Sequence, residues 1–457
     1  MTEAEWPASQ AVPPGPPPRK KGLVPALRYY LHFIRGPFAF IRQRFDEYGD
    51  LYRAENPDGA LYALRHPDHF REVLMTRADD FSKKHTALES LTQVLGDGLL
   101  TSDGENWKRQ RRMVQPAFTR KRMSGYAAMM VDETRAVADE WHPGGEVDMG
   151  REMVDLTLRI VCRTLFSYRI DHKTDQVARA MRTLNGAQAT LNLTPEWLPT
   201  PGRIRANRAI QLLDSIIYDI IEQRRNATDT TAQPHDLLQR LVDAVDSEDR
   251  DSRLSDREIR DQLMTLFLAG HETTSHALTW TWYLLARNPD VEEKLHEELD
   301  QVLAGRRPGY EDLPSLPYTE QILQEAMRLY PPAYVLARRA DRDTEIGGYS
   351  VPAGSEVVLW LYMSHHDARW FPEPEAFQPE RFQDEAREQR PKLAWLPFGG
   401  GPRACIGQEF AMTEARLILA TLAQSFRPRL VSDDPVEPRP AITLAPKQRV
   451  RMRLEPR

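Results

Sequence analysis

Cys405 closes a glycine-rich run, Phe398-Gly399-Gly400-Gly401-Pro402-Arg403-Ala404-Cys405-Ile406-Gly407, just before an apolar stretch from Phe410 to Leu422. A tight glycine turn lets backbone come close to a flat ligand and aims amide donors at a sulfur. The following stretch reads as a helix that would carry Cys405 at its N-terminus, where the helix dipole favours a thiolate. A lone cysteine is more often an inert buried hydrophobe, and a lone glycine-rich turn is often only a turn. A phosphate-binding loop is excluded, because no Gly-Lys-Ser/Thr follows the glycines.

The second chemical cluster is Ala269-Gly270-His271-Glu272-Thr273-Thr274, set in an otherwise apolar run. An acid and hydroxyls inside an apolar helix are costly unless hydrogen-bonded, and Gly270 weakens the helical ladder. The bland alternative is a polar kink, with Thr273 bonding back to a carbonyl one turn earlier. His271 and His276 suggest a zinc-protease helix, but their spacing has one residue too many for both imidazoles to share a metal. His365 and His366 read as ordinary structural or surface histidines. Glu325 and Arg328 lie three apart on a helical pattern, which by itself predicts an ion pair. Trp107 and Arg111 are four apart on another, and a guanidinium there could pair with a carboxylate.

These residues need elements to position them. Ser255-Asp256-Arg257-Glu258 is a capping-box pattern, and helix-compatible sequence runs from it to Arg287, where Asn288-Pro289 ends it. That predicts a helix about 48 Å long at 1.5 Å per residue, apolar enough to cross the middle of the molecule. Shorter helices are expected from Asp290 to Leu303 and from Pro317 to Tyr330, where Pro331-Pro332 follows. Two short strands joined by a turn are expected between Thr344 and Tyr362, with further strands near Leu51 to Leu64 and Ile442 to Leu454. The fold class is mainly α with a minor β-sheet region.

The chain has 457 residues, a formal net charge of -6 and two cysteines. There is no basic excess to make nucleic acid the main partner, and too few thiols for a disulfide framework or a cysteine-rich zinc module. Glu3, Glu5 and Trp6 break the N-terminus, and no apolar run is long enough for a membrane span, so a cytoplasmic protein is expected. Residues 1–22 read as an extended proline-rich leader ending in the Arg19-Lys20-Lys21 cluster, and 23–457 as a single catalytic domain. Flexible segments are expected at Asn226 to Pro234 and Ser247 to Arg253.

The run from Phe398 to Gly407 resembles the haem-binding signature of the cytochrome P450 family, Phe-x-x-Gly-x-Arg-x-Cys-x-Gly, with every fixed position filled. The resemblance implies the cytochrome P450 fold, with a long central helix over haem b (iron protoporphyrin IX) and Cys405 as axial thiolate. It makes Phe398 the aromatic beside the sulfur and Arg403 a propionate partner. Trp107, Arg111 and Arg338 match further propionate contacts. Glu325-x-x-Arg328 matches the family's helix pair, and Pro379-Glu380-Arg381-Phe382 supplies Arg381 as its third, structural member. Glu272 and Thr273 match the acid–alcohol pair that delivers protons while dioxygen, the co-substrate, is activated.

The activity implied is monooxygenation, EC 1.14 type: hydroxylation of a lipophilic small molecule. Retention of Glu272 and Thr273 disfavours a peroxide-driven enzyme, a haem-thiolate isomerase, and a haem sensor or carrier without turnover. Leu99, Leu100, Leu266, Phe267, Ala269, Tyr334, Val335, Leu336 and Leu444 match pocket-lining regions of the family. A fatty acid or terpenoid-like substrate is favoured, with steroid and polyketide left open. The region from Thr190 to Arg205 would cover the pocket entrance. Without a fused reductase, electrons are expected from a ferredoxin and its reductase, or a flavodoxin. Lys108, Arg109, Arg112, Arg120, Lys121 and Arg122 could receive such a donor's acidic face. The type is that of a bacterial monomer.

Overall fold

The computed structural model describes residues 12–17, 33, 35–56, 59–84, 86, 91–168, 176–177, 179–181, 183–184, 199–226, 236–243 and 254–457. The Arg19-Lys20-Lys21 cluster, the flexible segment ending at Arg253, most of the one beginning at Asn226, and residues 190–198 of the expected pocket cover lie outside them.

In chain order, helix α1 spans Pro37–Tyr48, followed by strands β1 (Leu51–Asn56), β2 (Gly59–Leu64) and β3 (Phe81–Ser82). Next come α2 (Gly104–Val114), α3 (Arg120–Glu140), β4 (Glu146–Asp148), α4 (Met149–Phe166), α5 (Pro201–Asn226) and α6 (Asp256–Arg287). Helices α7 (Pro289–Leu303) and α8 (Pro317–Leu329) precede β5 (Leu336–Ala340), β6 (Thr344–Ile346), β7 (Tyr349–Val351) and β8 (Glu356–Leu359). The chain finishes with α9 (Gln408–Ala423), β9 (Phe426–Leu430), β10 (Pro438–Pro440), β11 (Leu444–Pro446) and β12 (Arg451–Pro456).

These elements sort into two compact units, each built from three chain segments. The first holds Met1–Glu89, Ala333–Glu375 and Asp384–Cys405. Its sheet runs β1-β2-β8-β5-β3, with β2 and β8 parallel and the other pairs antiparallel. Leu64, Phe70, Val357, Leu359 and Leu361 pack into one buried cluster that holds the sheet. The two strands expected between Thr344 and Tyr362 prove to be three. Gly347 and Gly348 take φ of 58° and 81°, so a two-residue turn joins β6 to β7, and the Glu356 run leaves that hairpin for the main sheet.

The second unit holds Ser90–Pro332, Ala376–Gln383 and Ile406–Arg457. Helix α6 is its axis and packs against α4, α5, α8 and α9. The predicted capping box is formed: Ser255 Oγ accepts from the Glu258 N–H, and the Ser255 N–H donates to Glu258 Oε2. The expected C-terminal strand run divides into β11, paired with β10, and β12, which lies between β4 and β9. Helix α7 begins one residue earlier than expected, at Pro289, because proline suits a first turn. No helix among the described residues is long and apolar enough to cross a membrane.

Candidate active site

The cysteine loop in the first unit is shaped by contacts its sequence dictates. Gly399 and Gly401 take φ of 66° and 67°, the left-handed region that side chains disfavour. At Gly401 a Cβ would also sit 1.7 Å from the Leu74 carbonyl oxygen, so only glycine fits. Pro402 is the second residue of a single 3-10 turn, Gly401–Arg403, and the Ala404 N–H closes it on the Gly401 carbonyl at 3.1 Å. The Cys405 N–H then donates to the Phe398 carbonyl at 2.8 Å, which folds the loop back on itself. His365 pins the loop's start, because its fully buried Nε2 accepts the Leu396 N–H at 2.9 Å. His365 and His366 are thus both buried structural groups, and the His366 ring stacks on Tyr362.

The outcome is one exposed thiol, Cys405, on a glycine loop, while Cys162 is sealed inside α4, where burial pushes its thiol far above the ordinary range. Of the two thiols, Cys405 is the one placed to act as a metal donor. Arg403 lies in the 3-10 turn, and Arg338 is buried on β5 with Nη1 donating to the Ala337 carbonyl at 2.8 Å. Tyr334, Val335 and Leu336 are half-buried just before and within β5. The Tyr334 carbonyl accepts the Tyr362 N–H, the Tyr334 ring packs edge-on to Phe38, and burial pushes its phenol up to about 12.

In the second unit, α6 is buried from Ile259 to Leu285 except at Ala269, Gly270, Thr273 and His276. Positions 269, 273 and 276 follow helical spacing, so they form one narrow accessible strip. Thr273 lies on it, its hydroxyl donating to the Ala269 carbonyl at 2.9 Å. The bonding-back arrangement is therefore present, and it leaves the hydroxyl's lone pairs to accept a further hydrogen bond. Gly270 also answers to packing, since a Cβ there would come within 3.1 Å of Val161 on α4.

Glu272 is buried, and its Oε1 accepts from the Thr443 hydroxyl at 2.7 Å. Thr443 also lies 2.9 Å from His276 Nδ1, whereas His271 Nδ1 faces the Phe267 carbonyl at 2.5 Å. Desolvation lowers both imidazoles, to about 4 for the buried His271 and about 3 for the half-buried His276, so both are neutral at physiological pH. Glu414 on α9 is fully buried, and burial pushes its carboxyl well above the usual range, with the Thr274 hydroxyl working in the opposite direction. Sequence reasoning missed Thr443, its contact with His276, and Glu414. Only Glu414 carried a signal, as a lone acid in the apolar run from Phe410 to Leu422.

Other predicted residues of this unit fall as follows. Leu99 and Leu100 lie on a segment docked on α6, where the Leu99 N–H donates to Gln262 Oε1 at 3.3 Å. Leu266 is buried, and Leu444 is held between α6 and the Pro332 backbone. Trp107 is buried on α2 with the Arg111 guanidinium 5.6 Å from its ring centroid. Glu325, Arg328 and Arg381 are brought together: Arg328 grips both Glu325 oxygens at 2.7 and 2.8 Å, and Arg381 Nε lies 3.4 Å from Oε1. The expected basic patch is smaller than its sequence suggests. Lys108 pairs with Glu105, and Arg109 pairs with Glu258 in the α6 cap.

The sequence profile of the family described as Cytochrome P450 matches residues 14–451. The chain belongs to the cytochrome P450 family. Among its relatives, this P450 is 37% identical over 434 residues to cyclooctat-9-en-7-ol 5-monooxygenase of Streptomyces melanosporofaciens, covering 93% of each chain. It is 34% identical to pentalenene oxygenase of Streptomyces avermitilis over 95% of this chain and 96% of the other. The crystal structure of the cytochrome P450DA heme domain superposes with a TM-score of 0.86 at 30% identity, over 98% of both chains. The fold is therefore that of P450 heme domains, and haem is the cofactor this family implies. The P450 is an oxidoreductase of the monooxygenase class.

Proposed function

We propose that this P450 inserts one oxygen atom of dioxygen into a lipophilic, terpenoid-like small molecule, with electrons supplied by separate redox proteins such as a ferredoxin and its reductase. The observation that carries this reading is the accessible strip on α6. Along the buried stretch from Ile259 to Leu285, Thr273 is one of four residues left accessible, and it is next in sequence to the buried acid Glu272. The residues present fit haem: one exposed thiol on a loop that admits no side chain at Gly401, and arginines at 338 and 403 suited to carboxylates.

Cys405 would hold the iron, and Trp107, Arg111, Arg338 and Arg403 the propionates. Bound haem supplies the redox-active iron at which dioxygen is reduced. Glu272 holds and passes protons, and Thr273 accepts and orients a hydrogen bond at the strip. Leu99, Leu100, Leu266, Ala269 and Leu444 offer apolar surface for such a substrate in the second unit, and Tyr334, Val335 and Leu336 offer it in the first. The names of the Streptomyces relatives favour a terpenoid over a fatty acid.

The test has two stages. Reduced protein with carbon monoxide should show the red-shifted absorption band of a haem thiolate, and Cys405→Ala should lack it. NADPH-driven assays with surrogate redox partners should then oxidise pentalenene or cyclooctat-9-en-7-ol in preference to dodecanoic acid. The absence of the band, or oxidation of the fatty acid alone, overturns the respective part.

A further inference from the structure

We propose that His276 and Thr443 form a hydrogen-bonded clamp that sets the orientation of Glu272, tying the acid of the proton relay to the β10–β11 hairpin. This deepens the reading above and rests on it. His276 lies one helical turn beyond Glu272 on α6, so both side chains leave one face of the helix. They meet at a single hydroxyl: Thr443 Oγ1 donates to Glu272 Oε1 at 2.7 Å and lies 2.9 Å from His276 Nδ1. A hydroxyl has one proton to give. With that proton committed to Glu272, the contact to His276 can form only if Nδ1 carries a hydrogen and donates it. The imidazole thus occupies a lone pair of Thr443 and turns its proton toward the acid.

The surroundings keep the clamp in one state. His276 is neutral, because desolvation above all, and the Arg439 charge with it, disfavours its charged form. Thr443 sits on backbone held from both sides of its neighbour Leu444: the Trp280 indole donates to the Leu444 carbonyl at 3.2 Å, and the Leu444 N–H donates to the Pro332 carbonyl at 3.0 Å. The hydroxyl is therefore a fixed point, and Glu272 is held against it. His276 and Thr443 are positioning residues, acting on the reaction through Glu272 alone.

The experiment uses haem-loaded protein and two readouts. In the diamagnetic reduced carbon monoxide form, with 15N-labelled histidine, the His276 ring should show the Nδ1–H tautomer. It should do so in wild type and Thr443→Ser, and lose that preference in Thr443→Val. Peroxide released per NADPH consumed is measured with pentalenene, cyclooctat-9-en-7-ol and dodecanoic acid as probes. It should rise several-fold in His276→Phe and Thr443→Val, with Thr443→Ser close to wild type. An Nε2–H or doubly protonated His276 in the wild-type protein overturns the clamp directly, whatever the variants do. Glu272→Gln separates the two levels. If it uncouples while His276→Phe and Thr443→Val do not, the clamp alone fails; if it leaves coupling intact, the proton-relay reading fails and takes the clamp with it.

Discussion

Glu414 is a carboxyl group held where its charged form is disfavoured: it is fully buried on α9 and its pKa is pushed well up by that burial. The sign of the consequence follows from proton counting. Above the ordinary carboxylate pKa the unfolded chain has lost this proton and the folded chain keeps it, so stability falls as pH rises, by about 1.4 kcal/mol per unit, until the folded pKa is passed. Glu414→Gln removes the linkage. Denaturant melts at pH 5 and pH 8 should show the variant gaining on wild type at the higher pH; a pH-independent difference would contradict the assignment. Thr273 belongs to the same scale. Thr273→Ala should keep haem and NADPH consumption but lower product per NADPH several-fold, measured beside peroxide release. Glu272, Thr273 and Cys405 could be proposed from the sequence because each stands in a local pattern of types and spacing. Thr443 could not, since its bonds to Glu272 and His276 span 171 and 167 residues and nothing local marks it.

Elements were legible where their signals are local. The capping box, the apolar run and Asn288-Pro289 together delimit α6, and the structure places its ends there. Strands fared worse: β8 read as the partner of the strand before it, yet its neighbours are β2 and β5, because a period-two pattern states which face is buried and not which strand lies alongside. The cysteine loop shows an element fixed by one atom's worth of space. Gly401→Ala should cost about 1–2 kcal/mol from the left-handed backbone alone, and more from collision with the Leu74 carbonyl. The expected result is a lower haem-to-protein ratio together with a lower Tm, read by absorbance and thermal melts. Gly305→Ala, also at positive φ but with nothing near its Cβ, serves as the control for backbone strain without collision.

At the scale of the molecule, neither compact unit is a continuous piece of chain. The second unit needs α9 against α6 and Arg381 against Glu325, both supplied by sequence after Pro332. A chain ended at Pro332 would leave Glu325 and Arg328 without that third group and the apolar flank of α6 without its cover. It is expected to lack cooperative unfolding, which calorimetry would report; a sharp transition in the fragment would count against this dependence. The sequence displayed α6, α7, α8 and α9 of this unit but not α3, α4 or α5, and it did not display the interleaving, because contact between distant segments leaves no mark on either one.

The parallel pairing of β2 with β8 also sets an order of events during synthesis. Leu61 to Leu64 leave the ribosome long before their partners, Glu356 to Leu359. At roughly 5–20 residues per second, the early hairpin waits about 15 to 60 seconds with one edge open. An open edge is a template for pairing with other chains, so the nascent hairpin is exposed to such pairing through that interval. Cys405 emerges later still, which makes cofactor insertion an event at the end of translation or after it.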